Sequence, residues 1–364
     1  MSRARIAVAD DSSFIRQALA RLLAGEPTLE IVGLAASGEE LLQRFDEWQP
    51  DAVVLDLSMP GIGGLRTLDA LLARRRLPVL ILSTHSRRGA PQTIEALHRG
   101  ATDFVDKQQY SLVDFEALRQ VLVEKLHQIL AAGSAGGAGG AGGAGAGAAA
   151  AGGEGDLGAG PPAPGQPAAG IELVVLGAST GGPPAIERIL GDLGAAPPVP
   201  VAIVQHMPPA FTRSFAERLD ARLPLRVREA AHHERLLPGV VYIAPGGLHL
   251  AVERDHEALR AALSAEPELA RHRPSVDVLF TSAAAATGGR LVAALLTGMG
   301  FDGAAAMAEL ARAGVHTIAQ DRASSVIFGM PRAAIEAGSA REVLALERIG
   351  PRLLELLAGA GPGG

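Results

Sequence analysis

Three short segments place a serine, a histidine and an aspartate where they could act together on a carbonyl group. Ser179 lies within the glycine-flanked stretch Gly177–Gly182, which follows an apolar run and precedes a pair of prolines. Glycines beside a serine in a strand-to-helix turn hold its hydroxyl clear of the backbone, as in the nucleophile elbows of hydrolases. The same turn could equally be a tight connection or an anion cradle at a helix N-terminus, so the glycines alone do not decide.

His206 and Asp302 each follow a further apolar run. At a neighbouring strand end, His206 could accept the serine proton, and Asp302 could bind the other imidazole nitrogen. Each has a structural alternative: His206 could be satisfied by a backbone carbonyl, and Asp302 could cap the helix that starts at Ala304. The order serine, histidine, aspartate differs from that of α/β-hydrolases. Together the three residues could supply the nucleophile, base and orienting carboxylate of a serine hydrolase, which would need no cofactor in this half of the chain, and on these residues alone the structural alternatives stay open.

The loop around Asp302 also fits a different class of site. Gly298, Gly300 and Gly303 form the G-x-G-x-x-G pattern of dinucleotide-binding proteins, and Asp321 follows the last glycine by 18 residues. Asp302, however, places a negative charge inside the turn that would have to hold a pyrophosphate. A dinucleotide-binding unit also belongs near the start of its fold, and only about 60 residues follow this one. We therefore disfavour the dinucleotide site.

Acidic side chains collect at the predicted strand ends of the N-terminal half. The five residues that meet there are Asp10, Asp11, Asp56, Ser83 and Lys107. Three carboxylates repel one another, and a hard divalent cation such as Mg²⁺ relieves that repulsion. One carboxylate could then accept a phosphoryl group whose charge is neutralised by the metal, the lysine and the serine hydroxyl. Either Asp10 or Asp11, taken alone, could instead cap the following helix.

Short apolar strands alternate with amphipathic helices in both halves, which predicts two α/β domains with parallel sheets covered on both faces. Ligand sites of such sheets lie at the carboxyl ends of the strands, where the candidate residues fall. The predicted strands are Ile6–Ala9, Ile31–Ala35, Ala52–Leu57, Val79–Ser83, Asp103–Val105, Leu173–Leu176, Val201–Gln205, Val240–Ala244, Arg290–Leu296 and His316–Ala319.

Residues 131–170 separate the two halves. They hold 16 of the 45 glycines, four prolines and only two charged side chains. Such a segment has little to bury, so we predict a flexible Gly/Ala linker. The predicted domains are then 1–130 and 171–358, with a disordered tail at 359–364.

The amino-acid composition argues against nucleic acid and membranes as binding partners. Lysine and arginine number 33 against 39 acidic residues, a net charge of −6, which argues against binding nucleic acid. The chain has no cysteine, its N-terminus lacks a signal-peptide core, and residues 131–153 lack the large apolar side chains of a bilayer span. We expect a cytoplasmic protein without direct membrane insertion.

Residues 3–130 resemble a response-regulator receiver domain, which has a flavodoxin-like fold. The resemblance rests on Val8–Ser12, Val54–Pro60 and Lys107. It implies that Asp56 is the phosphoacceptor and that Mg²⁺ is held by Asp10, Asp11 and Asp56. It further implies that Ser83 and Phe104, with Lys107, form the switch that responds to phosphorylation.

Residues 171–345 resemble the Rossmann-like catalytic domain of the chemotaxis protein-glutamate methylesterases. The motifs that carry the resemblance are Gly177–Gly182, Gln205–Pro209, Phe211–Arg218, Tyr242–Gly246, Arg271–Phe280, Leu296–Gly303, Thr317–Gln320 and Phe328–Pro331. The resemblance implies that Ser179, His206 and Asp302 are the triad and that Thr180 and Met299 are lesser site residues.

The same resemblance implies a substrate, a partner and a mode of control. The substrates are glutamate methyl esters, and also glutamines, on methyl-accepting chemoreceptors. A chemotaxis histidine kinase supplies the phosphoryl group, and the unphosphorylated receiver covers the catalytic cleft.

Two functions other than an esterase are compatible with a receiver-like first half. The first is a phosphorylation-controlled module that only docks on receptors, and the intact Ser/His/Asp set argues against it. The second is a DNA-binding output, which the acidic balance and the lack of a helix-turn-helix with a basic recognition face disfavour.

Overall fold

A five-stranded parallel sheet forms the N-terminal domain of the computed structural model, which describes residues 3–83, 89–107, 115–136, 170–194, 196–267 and 272–359. The strand order is β2-β1-β3-β4-β5. Its elements are β1 Ala4–Ala9, α1 Ser13–Ala24, β2 Leu29–Ala35, α2 Gly38–Trp48, β3 Ala52–Asp56, α3 Gly63–Arg74, β4 Val79–Ser83, α4 Gly89–His98, β5 Asp103–Asp106 and α5 Phe115–Gly136. Every residue of β3 and β4 is buried, as expected for strands with helices on both faces.

Helix α5 continues six residues into the segment predicted as linker. The alanines there favour helix, and α5 already supplies the preceding turns, so no new nucleation is needed. The rest of that segment, 137–169, and the tail residues 360–364 lie outside the described residues. Their predicted disorder, and the domain boundaries, stay predictions.

A seven-stranded parallel sheet, in the order β14-β13-β12-β6-β7-β9-β8, forms the second domain. Its elements are β6 Leu173–Ala178, α6 Gly182–Asp192, β7 Val201–Gln205, α7 Pro209–Arg222, β8 Arg226–Glu229, β9 Val240–Ile243, β10 His249–Asp255, β11 Ala258–Ser264, α8 Val276–Thr287, β12 Leu291–Leu295, α9 Ala304–Arg312, β13 His316–Gln320, α10 Met330–Glu336, β14 Glu342–Leu344 and α11 Leu346–Gly359. The predicted doubly wound α/β class is confirmed for both domains.

The sequence patterns missed several peripheral elements. The clearest is the antiparallel hairpin of β10 and β11, which lies outside the main sheet and packs on α8. In β10 only Leu250 and Val252 show the alternation of buried apolar residues that is typical of a strand. The charged residues Glu253–Asp255 that follow interrupt this pattern, so the sequence did not indicate a strand here. Within the described residues, no helix is long and apolar enough to cross a membrane.

The two domains pack directly on each other. Helix α4 of the first domain lies against α6 and α7 of the second. The ring of Phe104, at β5, lies on that of Phe211, at α7, with centroids 4.5 Å apart. The carboxyl end of the second sheet therefore faces β5 and α5 of the first domain.

Candidate active site

Ser179 and His206 directly follow the neighbouring strands β6 and β7, at the same end of the sheet. Ala178 of β6 pairs with Gln205 of β7, and the backbone N–H of His206 donates to the Ala178 carbonyl at 3.0 Å. After Ser179 the chain turns sharply into α6 through Gly181, whose φ of +79° favours glycine. The strand-to-helix turn predicted around Ser179 is therefore present.

The loop from Thr297 to Gly303 lies on the other side of Ser179. The Ser179 N–H donates to the Thr297 carbonyl at 3.0 Å, and a Cβ at Gly298 would lie 2.8 Å from the serine Cβ. Gly303 has a φ of +87°, and a Cβ there would meet Val276. Two glycines of the G-x-G-x-x-G pattern, Gly298 and Gly303, thus serve close packing of this loop on the serine turn and on α8.

Asp321, the acidic residue of the dinucleotide alternative, forms its hydrogen bonds within its own loop. Its carboxylate accepts the N–H of Ser324 at 2.9 Å and the Ser324 hydroxyl at 2.6 Å. These bonds close a local turn after β13. The structure thus gives Gly298, Gly303 and Asp321 roles that do not involve a nucleotide.

His206 and Asp302 form a short, buried polar contact in the site. The Nε2 atom of His206 lies 2.7 Å from Asp302 Oδ2, and both side chains are largely buried. The carboxylate holds the proton on Nε2, which leaves Nδ1 as the basic nitrogen. Among the described residues, Nδ1 has no hydrogen-bond partner. The Ser179 hydroxyl likewise makes no hydrogen bond to His206 there, although both residues line one cavity.

Asp302 also caps a helix, but not the one expected from the sequence. The N-cap of α9 is Gly303. Asp302 instead lies at the start of α8, where it accepts the N–H groups of Val276 and Asp277 at 2.7 and 3.1 Å. The expectation that Asp302 might cap its own helix was therefore wrong, because the loop turns the carboxylate towards its neighbour.

The surroundings of Asp302 keep it ionised. Burial alone would raise its pKa, but the hydrogen bond and charge of His206, together with the two backbone N–H groups, hold the pKa below the usual range. The positive end of the α8 dipole acts in the same direction. A carboxylate fixed in this way can stabilise an imidazolium at His206.

Two residues that sequence reasoning left without a role position this carboxylate. Ser275, the N-cap of α8, donates its hydroxyl to Asp302 at 2.9 Å. Asp277, one turn into α8, accepts the N–H of Ala306 in α9 at 2.8 Å, so the two helices exchange caps. Burial raises the pKa of Asp277, and the nearby Asp302 charge adds to that rise. A serine before an apolar helical run, with an aspartate in the first turn, is a signal for a helix N-terminus, and both residues lie inside Arg271–Phe280.

We expect Ser275→Ala to lower the turnover number roughly tenfold, since a hydrogen bond to a charged group contributes about 1.5–3 kcal/mol. Ser275→Thr, which keeps the hydroxyl, should restore most of the rate. Steady-state ester hydrolysis measures both variants, with thermal unfolding as the check on folding. An alanine variant as active as wild type would contradict the positioning role.

A cavity of about 430 Å³ covers Ser179, Thr180 and His206. One wall comes from the second domain, where the ring of His272 stacks on that of His206 at 4.2 Å. The opposite wall comes from the first domain. Its residues there are Asp103, Phe104, Val105, Asp106, Val121 and Lys125. The candidate catalytic residues therefore face the receiver-like domain across this cavity.

A carboxylate of the first domain contacts the residue next to Ser179, the candidate nucleophile. Thr180 donates its hydroxyl to Asp103 Oδ2 at 2.6 Å, and Lys125 also binds that carboxylate. Thr180 is only 7% exposed as a result. Met299, the other lesser site residue, packs against the apolar cluster of the first domain. Sequence reasoning missed Asp103 because nothing local distinguishes the first residue of a short strand.

Charged residues join the domains at a second place, on α4. His98 Nδ1 lies 2.5 Å from the Glu187 carboxylate, which also accepts from Arg222 at 2.7 Å. Arg218 binds Glu95 beside them. Burial lowers the pKa of His98 to about 4. The negative charge of Glu187 opposes this shift, and the positive charges of Arg218 and Arg222 add to it. His98 is thus neutral in the packed state and donates to Glu187.

Acid should loosen this packing. A free histidine has a pKa of about 6.5, so the undocked state binds a proton more readily, and docking weakens as the pH falls below that value. We expect limited proteolysis or small-angle scattering to show more separated domains at pH 5 than at pH 7.5. His98→Gln should remove most of that difference, while exchange of the exposed His256 should keep it. Equal separation at both pH values in the wild type would contradict this role of His98.

Four of the five residues predicted at the strand ends of the first domain lie close together. Asp10, Asp11 and Asp56 each offer a carboxylate oxygen, and these atoms lie within 4.8 Å of one another. Lys107 Nζ lies 2.6 Å from Asp10 and 3.2 Å from Asp56. Burial raises the pKa of Asp10 against the opposing effect of Lys107. Such a set of hard oxygen ligands suits a divalent cation.

Ser83 lies one residue beyond the partner of Asp56 on the neighbouring strand β4. Its hydroxyl forms a hydrogen bond with Thr93 of α4. Phe104 lies on the next strand, β5, and its ring contacts that of Phe211 in the second domain. The predicted switch residues therefore connect the acidic pocket to α4 and to the domain interface.

Comparisons with known proteins decide the family. A model of the CheB methylesterase matches residues 174–353, and one of the response regulator receiver domain matches residues 6–121. A protein-glutamate methylesterase/protein-glutamine glutaminase from Nocardioides sp. is 41% identical over 358 residues, covering 97% of this chain and 95% of the relative. The chain belongs to the CheB methylesterase family. A relative of the same name from Paraburkholderia xenovorans is 39% identical over 99% of this chain and 98% of its own length.

A solved structure supports the CheB assignment of the second domain. The crystal structure of the Thermotoga maritima CheB methylesterase catalytic domain is 40% identical, with a TM-score of 0.50. It covers 51% of this chain and 98% of the Thermotoga domain. The catalytic half of this CheB family member therefore corresponds to a domain that has been crystallised on its own in a relative.

Proposed function

We propose that this chain hydrolyses glutamate γ-methyl esters on methyl-accepting chemoreceptors, and deamidates receptor glutamines, under the control of phosphorylation. The observation that carries the proposal is the 2.7 Å pairing of His206 with the buried Asp302 in the cavity that holds Ser179. A nucleophile, a base and an oriented carboxylate at adjacent strand ends suit acyl transfer. The names of the full-length relatives support the choice of acyl group.

Acylation begins when His206 Nδ1 takes the proton of Ser179 and the serine oxygen attacks the ester carbonyl. The imidazolium that forms is stabilised by Asp302. Collapse of the tetrahedral intermediate breaks the bond to the methoxy oxygen, and His206 returns its proton to methanol. The glutamyl group is then bound to Ser179 as an ester.

Deacylation repeats these steps with water as the nucleophile. His206 takes a proton from water, hydroxide adds to the acyl carbon, and Ser179 leaves with the proton from the imidazolium. The product is free glutamate. With a glutamine side chain the first leaving group is ammonia, and the second half is unchanged. Side chains and water carry every step, so the proposal assigns no cofactor to the catalytic domain.

The first domain acts as the switch. We assign Asp56 as the phosphoacceptor and place Mg²⁺ on Asp10, Asp11 and Asp56, where the cation supplies charge neutralisation during phosphoryl transfer. Lys107 lies close enough to Asp56 to contact the phosphoryl group. A chemotaxis histidine kinase would supply that group, and the proposal places the protein in the cytoplasm with this partner.

Phosphorylation would open the catalytic cavity through the domain interface. A phosphoryl group on Asp56 attracts the Ser83 hydroxyl away from Thr93 and so shifts α4 and Phe104. Both elements contact the second domain directly. Loss of these contacts weakens the bond between Asp103 and Thr180 and lets a receptor reach Ser179.

Mass spectrometry of receptor peptides tests the assigned reaction. Methylated receptor membranes are incubated with the purified full chain, a small phosphodonor and Mg²⁺. The proposal predicts that methyl esters become glutamates and that glutamines become glutamates at the modified positions. Receptors bound but left chemically unchanged would favour the docking module instead.

A further inference from the structure

A second cavity opens beside the catalytic loop, with a volume of about 860 Å³. It is bordered by Phe301 and Val326, whose surfaces are 58% and 38% exposed, and by the exposed Arg322 and Arg332. Large apolar side chains at the surface, rimmed by polar ones, are typical of interaction sites. We call this cavity the α5 groove, because α5 forms its remaining wall.

One face of α5 runs along both cavities. Val121 and Lys125 line the catalytic cavity, and Gln128 and Ala131 line the α5 groove. Their spacing of four, three and three residues places them in a row on one side of a helix. At 1.5 Å per residue the row spans about 15 Å. The surface that leads from the groove to Ser179 therefore already accommodates a helix in the docked state.

Apolar contacts beneath α5 would be uncovered when the receiver leaves. Ile327 is only 7% exposed and belongs to the apolar cluster that includes Leu122 and Leu126 of α5. Met299 packs against the same cluster. With the receiver gone, both side chains would join Phe301 and Val326 in a continuous apolar strip beside the catalytic loop.

The rim of the groove carries a net positive charge, since the two arginines Arg322 and Arg332 outnumber the one carboxylate, Glu336. The Arg322 guanidinium lies over the ring of Phe328, at 6.0 Å from its centroid, and Arg332 has a weak contact of 3.4 Å with Glu336. A partner that presents carboxylates near an apolar stripe would suit both features.

We propose that the open enzyme binds a receptor helix along the α5 groove, in the place that α5 occupies when the receiver is docked. The helix presents its methyl ester to Ser179, while acidic side chains one or two turns away contact Arg322 and Arg332. Every hydrolysed ester leaves a glutamate, so a helix with more than one modification site carries such carboxylates. This inference rests on the proposed receptor substrate.

The double variant Arg322→Glu/Arg332→Glu tests the groove in the full-length chain, activated with phosphodonor and Mg²⁺. KM is measured with methylated receptor membranes and with a small soluble glutamate methyl ester that cannot reach the groove. We expect the ratio of the receptor KM to the small-ester KM to rise about tenfold or more, equivalent to about 1.4 kcal/mol of binding. Arg312→Glu, on the exposed end of α9, reverses one arginine charge outside the groove and should leave this ratio unchanged.

The outcomes separate the groove from the assigned reaction. A double variant with the wild-type ratio, in a preparation where the wild type hydrolyses receptor esters, overturns the groove alone. A wild type that hydrolyses the small ester but no receptor ester overturns the proposed function and the groove with it. A raised ratio in the Arg312→Glu control would also overturn the groove, because the effect would then be one of general charge.

Discussion

Ser179→Ala is expected to abolish methanol release from methylated receptors. Without the hydroxyl no acyl-enzyme forms, and His206 has no nucleophile to activate within the cavity. Losses on removal of such a serine are of the order of 10³-fold or more, with residual catalysis from the rest of the site. Release of methanol from receptor membranes measures the effect directly.

The control for Ser179→Ala is Ser264→Ala, which removes an exposed serine at the end of β11. It should hydrolyse receptors like the wild type. The Ser179 variant should still bind receptor membranes, because the surface around the cavity is intact. Hydrolysis by Ser179→Ala at a rate near that of the wild type would rule out this serine as the nucleophile.

Removal of residues 1–170 is expected to raise the basal rate of the unphosphorylated enzyme. The deletion takes away Asp103, which binds Thr180, and the α5 residues that line the catalytic cavity. Coupling between domains is commonly about 1–3 kcal/mol, which corresponds to a rise of roughly 5- to 150-fold. Initial rates of methanol release without phosphodonor compare the two forms.

Asp103→Asn in the full chain examines the same masking with a single change. It weakens the charged bonds to Thr180 and Lys125 but leaves Phe104 on Phe211, so a smaller rise is expected. Asp46→Asn, on the exposed surface of α2, should have no effect. A truncated enzyme no faster than the full chain would contradict masking by the receiver.

Much of the site could be predicted because its residues occupy one kind of position. Ser179, His206 and Asp302 each follow an apolar run and lie within two residues of a glycine or proline, and parallel strands bring such ends together. The same rule collected Asp10, Asp56 and the rest of the acidic pocket. For these residues the local sequence pattern and the sheet topology predict the same location, the carboxyl ends of the parallel strands.

The interactions that the sequence did not reveal depend on packing between distant segments. Asp302 caps α8 because its loop lies beside Ser275, a relationship that helix propensity in either segment cannot show. Asp103 and His98 gain their roles only when one domain docks on the other. No periodicity or spacing within the receiver half predicts which of its charges will face the catalytic cavity.

The most direct test of the account is methanol release from methylated receptor membranes with and without a small phosphodonor and Mg²⁺. The wild type and Asp56→Ala are compared under the same conditions. We predict that the donor accelerates release by the wild type and leaves the Asp56 variant at its basal rate. Equal acceleration of both proteins, or release by the wild type that does not respond to the donor, would contradict control of this esterase through Asp56.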